Sequence, residues 1–248
     1  MQKQLTLIYG IHPVEEAISA NRSIEKIFIQ KGFRNDSFKE ILATAKTRNI
    51  PVASVPLEML DRITHGVHQG IAAKVSPIDF VDWRDIVAHT FEQGETPLLM
   101  VCDSITDVRN VGAIARTAYA VGVHALIIPS QGFASFTADA VKASAGALQK
   151  IHVSRESDLV KAVKEMMGYG IQTIVADASG KEFPYEIDMK LPTAIIMGSE
   201  DEGAAKNILR FSTHIVKLPM PGAIDSYNVS VAAGMMLYEA IRQRTIIK

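Results

Sequence analysis

Short continuous apolar runs alternate along this chain with stretches in which apolar residues recur every three or four positions, a pattern of strands interleaved with helices. Lys26-Ile27-Phe28-Ile29-Gln30 predicts a strand, and Phe38, Ile41, Leu42 and Ala45 share one face of a helix over residues 36–48. A second strand follows at Val52–Val55. Pro56 stands where a first helical turn tolerates proline, ahead of Leu57, Leu60 and Ile63 at helical spacing, and Gln69–Val75 reads as a further strand. Residues 1–76 therefore predict a small α/β domain.

Pro77 ends that region, and residues 77–95 read as a more polar connector that carries the only tryptophan, Trp83, with a short helix at Trp83–Phe91. The second part, residues 96–248, opens with a buried-looking strand at Pro97–Cys102. Further apolar strands are expected at His124–Ile128, Ile171–Ala176, Thr193–Met197 and His214–Leu218, separated by helical stretches. Near-continuous apolar strands between helices describe a parallel sheet covered on both faces, so this domain is α/β as well. No internal repeat or low-complexity tract appears, which leaves solenoid and disordered readings without support.

Composition agrees with a globular chain: 248 residues, 48% of them hydrophobic, can bury a sizeable core. The single cysteine, Cys102, has no disulfide partner and reads as a core thiol. No apolar stretch is long enough for a membrane span and no signal-peptide pattern opens the chain, so a soluble, cytoplasmic protein is expected. His65 and His68 lack a third convergent ligand and predict no metal site. The formal net charge of −1 argues weakly against a general phosphate-backbone binder, although a local basic face can coexist with an acidic remainder.

The glycines narrow the chemistry. A dinucleotide-binding sheet places G-x-G-x-x-G directly after its first strand, whereas here that strand runs into Asp103-Ser104-Ile105-Thr106-Asp107-Val108-Arg109-Asn110-Val111-Gly112. No G-x-x-x-x-G-K-[ST] occurs either, so a P-loop is unsupported. The distinctive loops come late: Gly198-Ser199-Glu200-Asp201-Glu202-Gly203 after one predicted strand, and residues 219–228 after the next. Both lie at carboxyl ends of predicted parallel strands, the edge at which open α/β sheets bind ligands. Either loop alone is as well explained by ordinary turn chemistry.

Taken together, Asn110, Gly112 and Arg116, then Gly198-Ser199-Glu200 to Gly203, then Ser226-Tyr227-Asn228-Val229-Ser230 resemble, in this order, the three motifs of the SpoU family of RNA ribose methyltransferases. The first part resembles that family's substrate-binding domain, opening with Tyr9-Gly10-Ile11-His12-Pro13-Val14-Glu15-Glu16-Ala17 and closing with His68-Gln69-Gly70-Ile71-Ala72-Ala73. The two-domain arrangement is most similar to members that methylate guanosine ribose in large-subunit (23S) ribosomal RNA. The resemblance implies a C-terminal trefoil knot in the catalytic domain, S-adenosyl-L-methionine as cofactor, a homodimer, and ribosomal RNA as the partner.

The resemblance also assigns roles. Gly198, Leu218 and Tyr227 match cofactor-contacting positions; Gly198 suits close approach of a ligand to the backbone, Leu218 reads equally as an apolar wall or a core residue, and Tyr227 replaces the expected leucine. Arg116 matches an arginine associated with deprotonation of the ribose hydroxyl. A guanidinium practically never loses its proton, so its expected work is electrostatic: clamping a phosphate and stabilising a developing alkoxide. Asn110 and Asn228 are expected to hold loops or substrate, or to cap helices; Glu200 to orient Arg116 or a loop amide, or to favour a helix dipole; Ser226 and Ser230 to form hydrogen bonds. Asp225 has no assigned role. Lys31, Arg34, His12 and Arg109 are candidate RNA phosphate partners. Two alternatives stay open: a transfer RNA ribose methyltransferase of the same family, and a non-catalytic RNA-binding assembly factor, which would have no need of cofactor affinity.

Overall fold

The computed structural model describes residues 7–32, 37–199, 203–222 and 226–245, and its chain divides into two compact units: Met1–Asp79 with Ser135–Ala138, and Phe80–Ala134 with Asp139–Lys248.

In the first unit, four strands form one sheet: β1 (Leu7–Tyr9), β2 (Ile24–Gln30), β3 (Val52–Val55) and β4 (Ile71–Val75), in the order β1-β4-β2-β3. β4 runs antiparallel to both β1 and β2, while β3 lies parallel to β2. Helices α1 (Ile11–Ser19) and α2 (Ser37–Thr47) supply Val14, Ala17, Phe38 and Ile41 to one core, where they meet Ile71 and Ala73. Helix α3 (Leu57–Ile63) packs Leu60 with Ala72 in a second, smaller cluster. Alternation along β4 thus sends neighbouring residues to opposite faces, as the pleat requires.

His68, considered above as half of a metal pair, is buried; its Nε2 lies 3.0 Å from Asp61 Oδ1 and its Nδ1 accepts from the Gly70 N–H at 3.0 Å. Both ring nitrogens are therefore occupied, and no cluster suited to a metal occurs among the described residues.

The second unit is built on six parallel strands: β5 (Leu98–Cys102), β6 (Ala125–Pro129), β7 (His152–Glu156), β8 (Gln172–Ala176), β9 (Thr193–Met197) and β10 (His214–Val216), in the order β10-β8-β9-β5-β6-β7. The chain winds outward from β5 through β6 and β7, then restarts on the opposite side at β8. The reversal falls beside β5 and β9, whose residues are buried throughout. Helices α5 (Val108–Ala120), α6 (Ala138–Ala143), α7 (Leu159–Gly168), α8 (Lys206–Phe211) and α9 (Val229–Arg244) connect or follow the strands.

Helix α4 (Trp83–Glu92) falls within the stretch read as a connector, yet Trp83 and Val87 are fully buried in the core of this unit. The Trp83 indole donates to Glu156 Oε1 at 2.7 Å, and Arg84 joins Glu156, Asp82 and Glu165 at 2.8, 3.0 and 2.6 Å. Cys102 is the buried core thiol expected; burial pushes its pKa up.

Two strands had no counterpart in the sequence reading. β1 is only three residues long, and β7 reads His152-Val153-Ser154-Arg155-Glu156, whose charged end conceals a buried strand. Arg155 is nevertheless buried, with its guanidinium 4.1 Å from the Phe80 ring centre, so tertiary packing overrides the local signal. β10 also stops at Val216, which leaves Leu218 in the following loop rather than at a strand end.

Candidate active site

The carboxyl ends of β8, β9 and β10 enclose a cavity of about 760 Å³, within the size range of small-molecule sites. Gly198, Leu218, Ser226 and Tyr227, which the sequence singles out in separate loops, all line it. Its apolar surface comes from side chains such as Met197, Met220 and Val229, and its polar groups include Asp177 and Lys217. Mixed apolar walls with a few polar groups fit a ligand that has a flat base at one part and a charged end at another.

Gly198 follows β9 directly, and the reason it is glycine differs from the one anticipated. A Cβ there would lie 2.0 Å from the Ala204 nitrogen and 2.0 Å from the Gly203 carbonyl carbon, so it is the chain's own backbone that leaves no room. Ser199 and Gly203 exchange two backbone hydrogen bonds at 3.0 and 3.1 Å, drawing the ends of this loop together. Gly203 has φ +70°, a left-handed conformation in which glycine carries no Cβ penalty.

Asp103, at the end of β5, fixes the far side of the same loop. Its Oδ2 accepts from the Ala205 N–H at 2.8 Å while its own N–H donates to Met197 O at 2.8 Å. The residue is buried, and its role as a brace was not anticipated. A carboxylate directly after a wholly apolar strand was the available signal.

Tyr227, where a leucine was expected, donates its hydroxyl to the Pro219 carbonyl at 2.8 Å. The substitution thus adds a hydrogen bond across the loop that follows β10.

Asn228 is the N-cap of α9. Its Oδ1 accepts from the Ser230 N–H at 3.0 Å and from the Ser230 hydroxyl at 2.5 Å, and its Nδ2 donates to Asn110 Oδ1 at 3.1 Å. Asn110 is buried in the first turn of α5, whose N-cap is Asp107, accepting from the Arg109 N–H at 2.7 Å. The helix-cap alternative therefore holds for Asn228 and fails for Asn110, which lies inside the helix. Gly112, two residues on, sits against α6: a Cβ there would approach that of Ala143 to 2.6 Å.

Arg116 is exposed on α5, outside the cavity lining, and pairs with no carboxylate among the described residues. Arg109 is exposed and pairs with Asp107 at 3.2 Å; His12, also exposed, lies 3.3 Å from Glu15. Glu200, Asp225 and Arg34 lie outside the described residues.

Fold and site define a two-unit α/β protein with a small-molecule cavity at the carboxyl edge of a parallel sheet, next to a pair of bonded asparagines. The profile of the SpoU rRNA methylase family matches residues 97–238, and that of the RNA 2′-O ribose methyltransferase substrate-binding domain matches residues 7–81. YacO of Bacillus subtilis (strain 168), assigned to the TrmH family of tRNA/rRNA methyltransferases, is 32% identical over 244 residues, covering 98% of each chain. A relative from Staphylococcus haemolyticus with the same assignment is 34% identical over 238 residues, 96% of each chain. The chain belongs to the SpoU methylase family.

Among solved structures, the SpoU methyltransferase AviRb of Streptomyces viridochromogenes, in complex with AdoMet, superposes with a TM-score of 0.60 at 24% identity, over 96% of this chain and 90% of that one. This likeness is one of fold. The TrmH/SpoU tRNA modifying enzyme of A. aeolicus matches 60% of this chain and 76% of its own, at 28% identity and a TM-score of 0.56.

Proposed function

We propose that this protein transfers a methyl group from S-adenosyl-L-methionine to the ribose 2′-hydroxyl of a guanosine in large-subunit (23S) ribosomal RNA. The observation that carries the reading is the Asn228–Asn110 hydrogen bond, which brings the first and third sequence motifs together at the edge of the cavity that Gly198, Leu218 and Tyr227 line. Full-length likeness to relatives of both domains supports an RNA substrate.

When bound, the cofactor supplies an electrophilic methyl group on a sulfonium centre. The chain's own residues have two tasks, positioning and proton handling. Arg116, exposed and unpaired with any described carboxylate, is available to an RNA phosphate and to the negative charge developing on the ribose oxygen. It remains a guanidinium throughout, and the hydroxyl proton passes to a phosphate oxygen or to water. Asn110 and Asn228 hold their loops in register, and Ser226, on the cavity wall, is placed to hydrogen-bond substrate. For Glu200, outside the described residues, the family resemblance leaves the orienting of Arg116 or of a loop amide, or a favourable place at a helix dipole.

The reading includes a C-terminal trefoil knot, supported by the close approach of two segments distant in sequence: a Cβ on Gly180 would lie 2.5 Å from the Val216 carbonyl carbon. It also includes a cytoplasmic homodimer, supported by the exposed apolar row Val231, Met235 and Tyr238 on α9.

Transfer of labelled methyl to total rRNA and tRNA from a strain lacking the protein, with Arg116→Ala as control, tests the reading. Incorporation at one rRNA ribose, lost in the variant, is expected. Label in tRNA alone would move the substrate to the transfer RNA branch of the family, and absence of cofactor binding would leave only a non-catalytic assembly factor.

A further inference from the structure

Asp177 stands at the carboxyl end of β8 and lines the cavity, yet none of the sequence motifs includes it. Its Oδ1 is fully engaged, accepting from the Ser179 N–H at 2.9 Å and the Ser179 hydroxyl at 2.6 Å. Those bonds fix the plane of the carboxylate. They leave Oδ2 without a partner among the described residues, and a Cβ built on Gly203 would lie 2.9 Å from that oxygen. The second oxygen is thus held in place beside bare backbone, on the wall of a ligand cavity. A carboxylate oxygen so placed is a ready acceptor that a ligand donor can complete.

We propose that Asp177 holds the nucleoside part of the adenosyl ligand by accepting a hydrogen bond from a ribose hydroxyl, an assignment that rests on the cofactor reading above. The reacting methyl has to face the β5 side, where Asn110 and Arg116 stand on α5. Asp177 is two strands away, with β9 between, or about 10 Å at ordinary strand spacing. It therefore meets a part of the ligand remote from the reacting carbon.

Two remote parts carry donors: the ribose hydroxyls and the amino group of the methionine end. The local chemistry favours the hydroxyls. Lys217 lines the same cavity, and its ammonium opposes a second cation there but not a neutral hydroxyl. Phe183, stacked on Tyr185 at 5.3 Å and facing the Lys217 ammonium at 5.3 Å, adds a fixed ring to this wall. Ring, small alanines at 176 and 178 and an acceptor together suit a furanose and its base.

Calorimetric titration of the full-length protein with S-adenosylhomocysteine, 5′-methylthioadenosine, and the 2′-deoxy and 3′-deoxy forms of the latter tests this without any turnover. In the wild type, deleting one of the two hydroxyls is expected to weaken binding roughly ten-fold to one-hundred-fold, the range of a hydrogen bond to a charged group. Asp177→Ala is expected to weaken S-adenosylhomocysteine and methylthioadenosine by the same factor and to erase the difference between hydroxyl and deoxy ligands. A loss confined to S-adenosylhomocysteine would overturn the proposal in favour of the amino group. So would wild-type affinities that ignore both deletions, a comparison that stands even if the variant does not fold. Failure of the wild type to bind either parent ligand would instead sink the cofactor reading itself, and the role of Asp177 with it.

Discussion

Asn228 and Asn110, 118 residues apart in sequence, are joined side chain to side chain by a 3.1 Å hydrogen bond from the Asn228 amide. One lies at the start of α9 and the other in the first turn of α5, so the bond couples α5 to the start of the helix that lines the cavity through Val229 and Ala232. Each amide has both a donor and an acceptor, which lets Asn228 serve as helix cap through its oxygen and as a clasp through its nitrogen.

The two duties separate by substitution. Asn228→Ser keeps a good cap and removes the clasp, so stability should change by less than about 0.5 kcal/mol from the cap alone while methyl transfer falls at least about ten-fold. Asn228→Ala removes both and should cost about 1 kcal/mol more in urea unfolding. Full methyl transfer by the serine variant would show that the clasp has no part in catalysis.

Gly198→Ala should be far more damaging than a methyl group suggests. Its Cβ would fall 2.0 Å from the backbone at Gly203 and Ala204, which no side-chain rotation relieves. Overpacking of this kind costs about 1–3 kcal/mol, and the displaced loop should lower affinity for S-adenosylhomocysteine at least about ten-fold. Gly168→Ala, at the end of α7 with nothing within 4 Å of its Cβ, is the matching control and should leave stability unchanged or slightly raised. Normal ligand affinity in Gly198→Ala would mean that the loop bends more easily than its contacts imply.

These relationships show what was legible in the sequence. The apolar periodicity marked β2, β5, β8 and β9 closely, because fully or half-buried strands have to be apolar. It could not mark β7, where Arg155 is buried against Phe80 and Glu156 bonds Trp83, since partners distant in sequence make those charges tolerable. Gly198, Leu218 and Tyr227, which the family resemblance sets against the cofactor, and Ser226, a hydrogen-bonding candidate, line one cavity. Asp103 and Asp177 were passed over because a lone aspartate carries no spacing. Only the fold sets Asp103 against Ala205, 102 residues away, and brings Asp177, turned by its near neighbour Ser179, to the cavity wall.

Glu165 offers a test by pH. Two 2.6 Å hydrogen bonds from Arg84 hold its carboxyl below the usual carboxylate range. A depressed folded-state pKa stabilises the fold above the unfolded value of about 4.3 and ceases to do so as pH falls through the folded value. Glu165→Gln should therefore cost roughly 1 kcal/mol in urea unfolding at pH 7, solvent screening limiting a partly exposed pair, and the gap to wild type should shrink steadily below about pH 4. An equal gap at pH 7 and pH 3 would rule out the ionised pairing as its source.

Arg244 extends the clasp argument to the other end of α9. Its guanidinium donates to four carbonyls, those of Met189, Thr96, Pro97 and Leu191, at 2.7–3.0 Å, and so ties the end of the helix to the segments that enter β5 and β9. Burial lowers its pKa, yet a guanidinium stays charged, and the fixed fork of donors is what reaches several acceptors at once. Lysine keeps the charge and loses the fork. Arg244→Lys should therefore lose about 1–2 kcal/mol and Arg244→Met about 2–4 kcal/mol, because the methionine leaves carbonyls without donors. The same helix begins at Asn228, so methyl transfer should fall in step with the loosening of its far end, and partial restoration by lysine should appear in both readouts. Wild-type stability in Arg244→Lys would show that charge near these carbonyls, rather than the geometry of the fork, holds α9 in place.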